Sequence, residues 1–184
     1  MKKTVRNLAI IAFASLTFTA CSKDVETEEN DNELITTIEL HVTETGTSTT
    51  GVFKFEDLDG DGGAAPVIDA ITLSPNKTYN VELKVLDKSK TPAVTISEEI
   101  LEEGDDHRFY FEPTGASITV NNLSNDANGL PLGLTSTWTT GAASTGKLKI
   151  TLRHYESGGK ALTDPVSSTK SSTDAEVEFN AAIQ

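Results

Sequence analysis

Cysteine is all but missing from this chain: Cys21 is the only one in 184 residues. A lone thiol cannot close an internal disulfide, so folding must rest on an apolar core. Aromatic residues make up only 6% of the chain, with a single tryptophan, Trp138. Basic residues are also scarce, 15 Lys and Arg against 28 Asp and Glu, for a formal net charge of −13. That balance excludes nucleic acid, whose phosphates need clustered cations. It also argues against docking on anionic lipid head groups. No Gly-x-Ser-x-Gly elbow and no phosphate-cradling glycine loop occur, and the expected activity is therefore non-enzymatic. Long apolar runs are absent too. The main one, Leu8 to Leu16, is far short of the roughly 20 residues a membrane-spanning helix needs.

What is present at the N-terminus reads as an export signal. Lys2, Lys3 and Arg6 form a basic start, the apolar run follows, and Thr17-Phe18-Thr19-Ala20 leads into Cys21. Residues 1–20 are expected to be cleaved as a lipoprotein signal peptide. Phe18 stands where a lipobox most often has Leu. Cys21 is then the lipidation site. Each buried acyl methylene contributes about 0.8 kcal/mol, so several chains anchor the protein stably. Removal of residues 1–20 takes the net charge from −13 to −16. Residues 21–33 hold the lipidated Cys and six acids, with no aromatic residue, as in a disordered tether. The expected location is the outer membrane, exposed at the cell surface, with the periplasmic leaflet as the alternative.

From Leu34 to Gln184 the pattern is alternation with a period of two. Ile38, Leu40 and Val42 alternate with polar residues, as do Tyr79, Val81, Leu83 and Val85. Phe109 and Phe111, then Leu148, Ile150 and Leu152, then Val177, Phe179, Ala181 and Ile183 repeat it. Turn signals such as Asp59-Gly60, Pro75-Asn76 and Asn128-Gly129 separate the runs. This predicts an all-β domain over 34–184, an antiparallel β-sandwich that is immunoglobulin-like in the loose sense, with a small barrel as the alternative. Ser97 to Glu103 reads as a helical turn or an edge strand.

Oxygen and imidazole carry the candidate chemistry. Asp57, Asp59 and Asp61 alternate and are followed by Gly62, a spacing that lets a tight loop wrap calcium. The twelfth position of that loop is Ile68, not the bidentate Glu of a complete calcium loop. The segment is thus an incomplete calcium loop or plain turn chemistry. Ser124 to Gly129 echoes it with fewer acids. Of three histidines, His41 shares phase with Thr37 and Glu39 and should face solvent, whereas His107 and His154 share phase with inward residues. Asp105 and Asp106 directly precede His107. Two imidazoles with a carboxylate suit zinc, so His107, His154, Asp105 and Asp106 form an alternative metal set; two hydrogen-bonded strand-end histidines would account for the same pattern. The acidic run Glu98 to Asp106 reads as a solvated face, and Trp138 as a core anchor.

Four segments look familiar together: 57–63 (Asp-Leu-Asp-Gly-Asp-Gly-Gly), 103–111, 133–143 around Trp138, and 147–154 (Lys-Leu-Lys-Ile-Thr-Leu-Arg-His). On these the chain resembles a family of small uncharacterised outer-membrane lipoproteins, often encoded beside TonB-dependent receptors. The resemblance implies a binding or accessory role in nutrient or metal uptake, with a receptor as partner; the Asp57, Asp59 and Asp61 spacing adds calcium as a candidate brace of that loop. Zinc capture through His107 and His154 is the alternative.

Overall fold

The computed structural model describes residues 34–60, 62–156 and 159–184. The signal peptide, Cys21, the acidic tether and Asp61 lie outside the described residues. The all-β sandwich expected from the alternation is what the chain forms. Eleven strands occur in order: β1 (Thr37–Glu44), β2 (Thr50–Glu56), β3 (Val67–Ile68), β4 (Ile71–Leu73), β5 (Thr78–Asp87), β6 (Val94–Thr95), β7 (His107–Thr114), β8 (Ile118–Asn121), β9 (Thr135–Thr140), β10 (Ser144–Tyr155) and β11 (Ser171–Ile183). Among the described residues these eleven strands are joined by one helix, α1 (Ile96–Glu102), between β6 and β7.

The larger sheet runs β3-β2-β1-β5-β9-β8, and β6 extends the edge of β5 beyond β9. The smaller runs β4-β11-β10-β7. All pairings are antiparallel except β4 with β11, which makes the small sheet mixed. Register brings like faces together. Ile38 faces Val85, Leu40 faces Leu83, and Val42 faces Val81. In the small sheet Ile150 lies between Val177 and Phe111. All but the partly buried Phe111, which packs against them, are buried in one cluster drawn from both sheets, each contributing roughly 1.5–3 kcal/mol on burial. Phe111 of β7 meets Trp138 of β9 edge-on, with ring centroids 6.1 Å apart, so aromatic contact crosses the sandwich. Trp138 is fully buried and its Nε1 donates to Ser136 Oγ at 2.9 Å. It is a core anchor.

Segment 97–103 resolves into α1. Ile96 and Ile100 share its buried face, at the four-residue spacing of a helix. Ser97 Oγ accepts from Val85 N at 2.8 Å, so a side chain supplies the hydrogen bond a neighbouring strand would give. His41 lies on the outer face of the large sheet but is half-buried there, because Glu39 holds its Nε2 at 3.0 Å. Lys88 bridges the same Glu39 to Glu56.

The connection from β10 to β11 is tied to the outer face of the small sheet. Phe109 and Leu152 point inward, so Arg108, Tyr110, Arg153 and Tyr155 point outward. Arg108 Nη1 donates to Leu162 O at 3.2 Å and its guanidinium lies 4.5 Å over the Tyr110 ring. Tyr110 and Tyr155 share a hydroxyl hydrogen bond of 2.6 Å, and Tyr110 donates to Asp164 O at 2.9 Å. Tyr155 is fully buried beneath this connection.

Candidate metal centre

His107 opens β7 and His154 lies near the end of β10. Antiparallel register sets them directly opposite each other. Directly opposed residues are the closest neighbours a sheet offers, and the two imidazole centroids are 4.7 Å apart at a 46° tilt. Both follow the phase of Leu148, Ile150 and Leu152, as the alternation predicts.

The third member comes from β11. Leu152 pairs with Ala175, but Arg153 pairs with Thr173, which leaves Asp174 without a partner. Asp174 is the extra residue of a β-bulge, a device that re-aims a side chain. In unbroken alternation it would share the outward face of Glu176 and Glu178. The bulge turns it toward the histidines instead. Asp174 Oδ2 lies 3.8 Å from His107 Nε2 and 3.9 Å from His154 Nδ1.

Local chemistry prepares these atoms. His107 Nδ1 is 3.0 Å from Glu103 O. A carbonyl only accepts, so Nδ1 carries a proton and Nε2 is the nitrogen left facing the cluster. A ring so oriented by its second nitrogen is the usual state of a metal-bound histidine. Burial is graded: the side chain of His107 is 8% exposed, that of Asp174 19% and that of His154 31%. Burial pushes the Asp174 carboxyl above its usual range, and His154, His107 and Arg153 only partly offset this. At 3.8 and 3.9 Å neither imidazole hydrogen-bonds it. The carboxylate is partly desolvated at the edge of the cluster, and a cation between the three groups would offset that cost.

His107, His154 and Asp174 could hold a metal ion, with one donor atom of each within 4.8 Å of the others. A tetrahedral zinc with ligands at about 2.0–2.1 Å keeps its donors about 3.3–3.4 Å apart. The 3.8 and 3.9 Å separations from Asp174 therefore need a contraction of about 0.5 Å, and the two imidazole donors, within 4.8 Å of each other, must close in with them.

Beside the cluster stands a second polar group of opposite character. Lys160 Nζ and the Asp126 carboxylate are both fully buried and 2.8 Å apart. Lys160 also donates to His107 O at 2.8 Å, Gly104 O at 2.5 Å and Pro131 O at 3.2 Å. Burial acts to raise the Asp126 pKa, but Lys160 and the amides of Leu130 and Asn128 outweigh it and hold the carboxyl below its usual range. This pair fixes the backbone at the start of β7 from behind.

The other sequence-derived candidates fall as follows. Asp105 is exposed in the turn before β7, and Asp106 is half-buried beside it. Neither belongs to the cluster; the acid that joins the two histidines is Asp174. The reason is geometric: Asp106 adjoins His107 at the strand start, and adjacent strand residues face opposite ways. Asp57 Oδ1 accepts from Gly60 N at 2.9 Å, and Asp59 Oδ2 from Ala64 N at 2.8 Å. Both carboxylates thus cap amides of their own loop, as turn acids do. Gly62 has φ +91°, the left-handed angle expected of it. In the echo loop, Asp126 is committed to Lys160. Glu98, Glu99, Glu102 and Glu103 lie on or just after α1, the last two exposed.

Among known proteins the chain matches no family model, no curated protein and no solved structure. The fold and cluster define a class and no more: an all-β sandwich carrying two histidines and one carboxylate that could hold a metal ion at one end of its smaller sheet.

Proposed function

We propose that this chain is a membrane-anchored protein that captures a divalent transition metal, zinc in the first instance. The observation that carries the reading is the bulge that turns Asp174 onto the opposed pair His107 and His154. Nitrogen and carboxylate donors suit zinc, whereas calcium takes oxygen ligands alone. His107 Nε2, one ring nitrogen of His154 and Asp174 Oδ2 are the ligands, and Glu103 O orients the first of them. Lipid on Cys21 holds the domain at the outer membrane, and the acidic tether 21–33 spaces it from the surface. The resemblance to lipoproteins encoded beside TonB-dependent receptors supports a role as an accessory to uptake. The function is capture and not catalysis.

Calorimetric titration tests this on the full chain carrying Cys21→Ser, so that its one thiol cannot contribute. The expected result is saturable zinc binding at one ion per chain, lost in a His107→Ala, His154→Ala double variant. Absence of saturable heat, or equal heat in the double variant, would refute the reading.

A further inference from the structure

We infer that the bound metal keeps one coordination position open to solvent, and that this position takes a neutral nitrogen donor from outside, imidazole being the simplest. The inference rests on the capture reading above and specifies the ligand class of the same site. Structural zinc sites are closed by four protein ligands, whereas sites with three protein ligands leave the fourth position to water or an entering molecule. Among the described residues the cluster has three donors. The remaining histidine, His41, lies in β1 of the other sheet and is bonded to Glu39. The acids nearest in sequence, Asp105 and Asp106, stand outside the cluster.

The direction of the open position follows from the exposure gradient. His107 forms the floor, 8% exposed, with its ring held by Glu103 O and its own carbonyl held by Lys160. His154 and Asp174 form the rim, at 31% and 19%. A metal seated on the three therefore meets solvent on the rim side. Charge selects among entering ligands. A dication on two neutral imidazoles and one carboxylate leaves a site of single positive charge. The turn leading into it displays Glu102, Glu103 and Asp105, all exposed, on a chain with an excess of acids. An anion approaching the rim meets the field of these acids as well as the site's own positive charge and that of Arg153, whereas a neutral nitrogen donor is indifferent to all three. An imidazole or amine carried by a small molecule, or by a peptide that hands the metal on, fits both conditions.

Cobalt(II) reports the coordination shell directly. The full chain with Cys21→Ser is loaded with one cobalt per chain, and imidazole is titrated while the visible absorption is recorded; dialysis then gives the retained cobalt. The expected result is a saturable change in band position and intensity with cobalt still bound at one per chain. Sodium azide, tested at low ionic strength, should produce its change only at higher concentration, and should gain affinity as added salt screens the acids. Three results overturn the inference: a spectrum indifferent to imidazole, cobalt stripped from the protein by imidazole, or azide binding that does not respond to salt. Failure to take up cobalt at all refutes the capture reading itself, so the two failures are distinguishable.

Discussion

Two polar groups meet near the start of β7, and they differ in one respect. Lys160 and Asp126 are fully buried as an ion pair 2.8 Å apart, and the amides of Asn128 and Leu130 donate to Asp126 Oδ1, although Oδ2 makes no directed hydrogen bond. His107, His154 and Asp174 are less buried, yet their carboxylate has no hydrogen-bonding partner among the imidazoles it faces. Burial is the largest influence on both aspartates. In Asp126 an ammonium and two amides overcome it; in Asp174 nothing does, and the carboxyl is pushed up. A buried charge with its counter-charge in place braces the fold. A partly buried carboxylate without one costs stability, and it persists where something else completes it. The comparison separates a structural element from a candidate functional one within a few residues of chain.

The largest expected effect breaks the satisfied side. Lys160→Met leaves the Asp126 carboxylate buried without its cation, which costs about 3–5 kcal/mol. Denaturant unfolding should show that loss, and a Lys160→Met, Asp126→Leu double variant should recover most of it, since an apolar pair avoids the uncompensated charge. The pH dependence sharpens the same point. The folded pKa of Asp126 lies below its usual 3.8, so the folded state binds fewer protons there. Its contribution to stability is present above pH 3.8 and is lost as pH falls through the folded value. In Lys160→Met only burial and the amides remain, and this acid-side loss should shrink or reverse. A double variant no better than the single one would sink the brace.

The next effect completes the unsatisfied side. Zinc at one hundred times its dissociation constant should stabilise the native state by about 2.7 kcal/mol. For a domain of this size that raises the melting temperature by about 5–10 °C. Excess chelator should return it. Calcium at the same concentration should leave it unchanged if the effect runs through His107 and His154, because imidazole is a poor calcium ligand. An equal rise with calcium would shift attention to the Asp57 and Asp59 loop.

The strands were readable because their period is strict. Val177, Phe179, Ala181 and Ile183 announce the inward face of β11, and Leu148, Ile150 and Leu152 that of β10. The same rule carried His154 and His107 inward. It failed at Asp174, which the alternation assigns to the outer face with Glu176. A bulge is one inserted residue, and nothing in Ser171-Ser-Thr-Asp-Ala175 separates it from ordinary strand. Proximity in sequence pointed to Asp105 and Asp106 instead, yet cross-strand register brings in a residue sixty-seven positions from His107. The Lys160–Asp126 pair was hidden for a related reason. Lys160 is in a polar connection rich in Gly and Ser, where a lysine reads as solvated, and only tertiary structure shows it enclosed by carbonyls.

The smallest expected effect on stability is the most discriminating. Asp174→Asn keeps the shape and removes the charge. In the metal-free protein partial burial already disfavours the charged carboxylate, so its removal should leave stability unchanged or raise it, within about 1 kcal/mol. Zinc affinity should move the other way. Removal of a partner that only orients a ligand already costs about 10–100-fold, and loss of a ligand should cost at least as much. Stability measured in chelator, with zinc affinity measured by calorimetry on the same variant, gives two numbers of opposite sign. A structural aspartate would lose stability and leave zinc untouched, as Asp126 is expected to do. A variant that loses both would mean that Asp174 holds the bulge in place, and that the two groups at the start of β7 are alike after all.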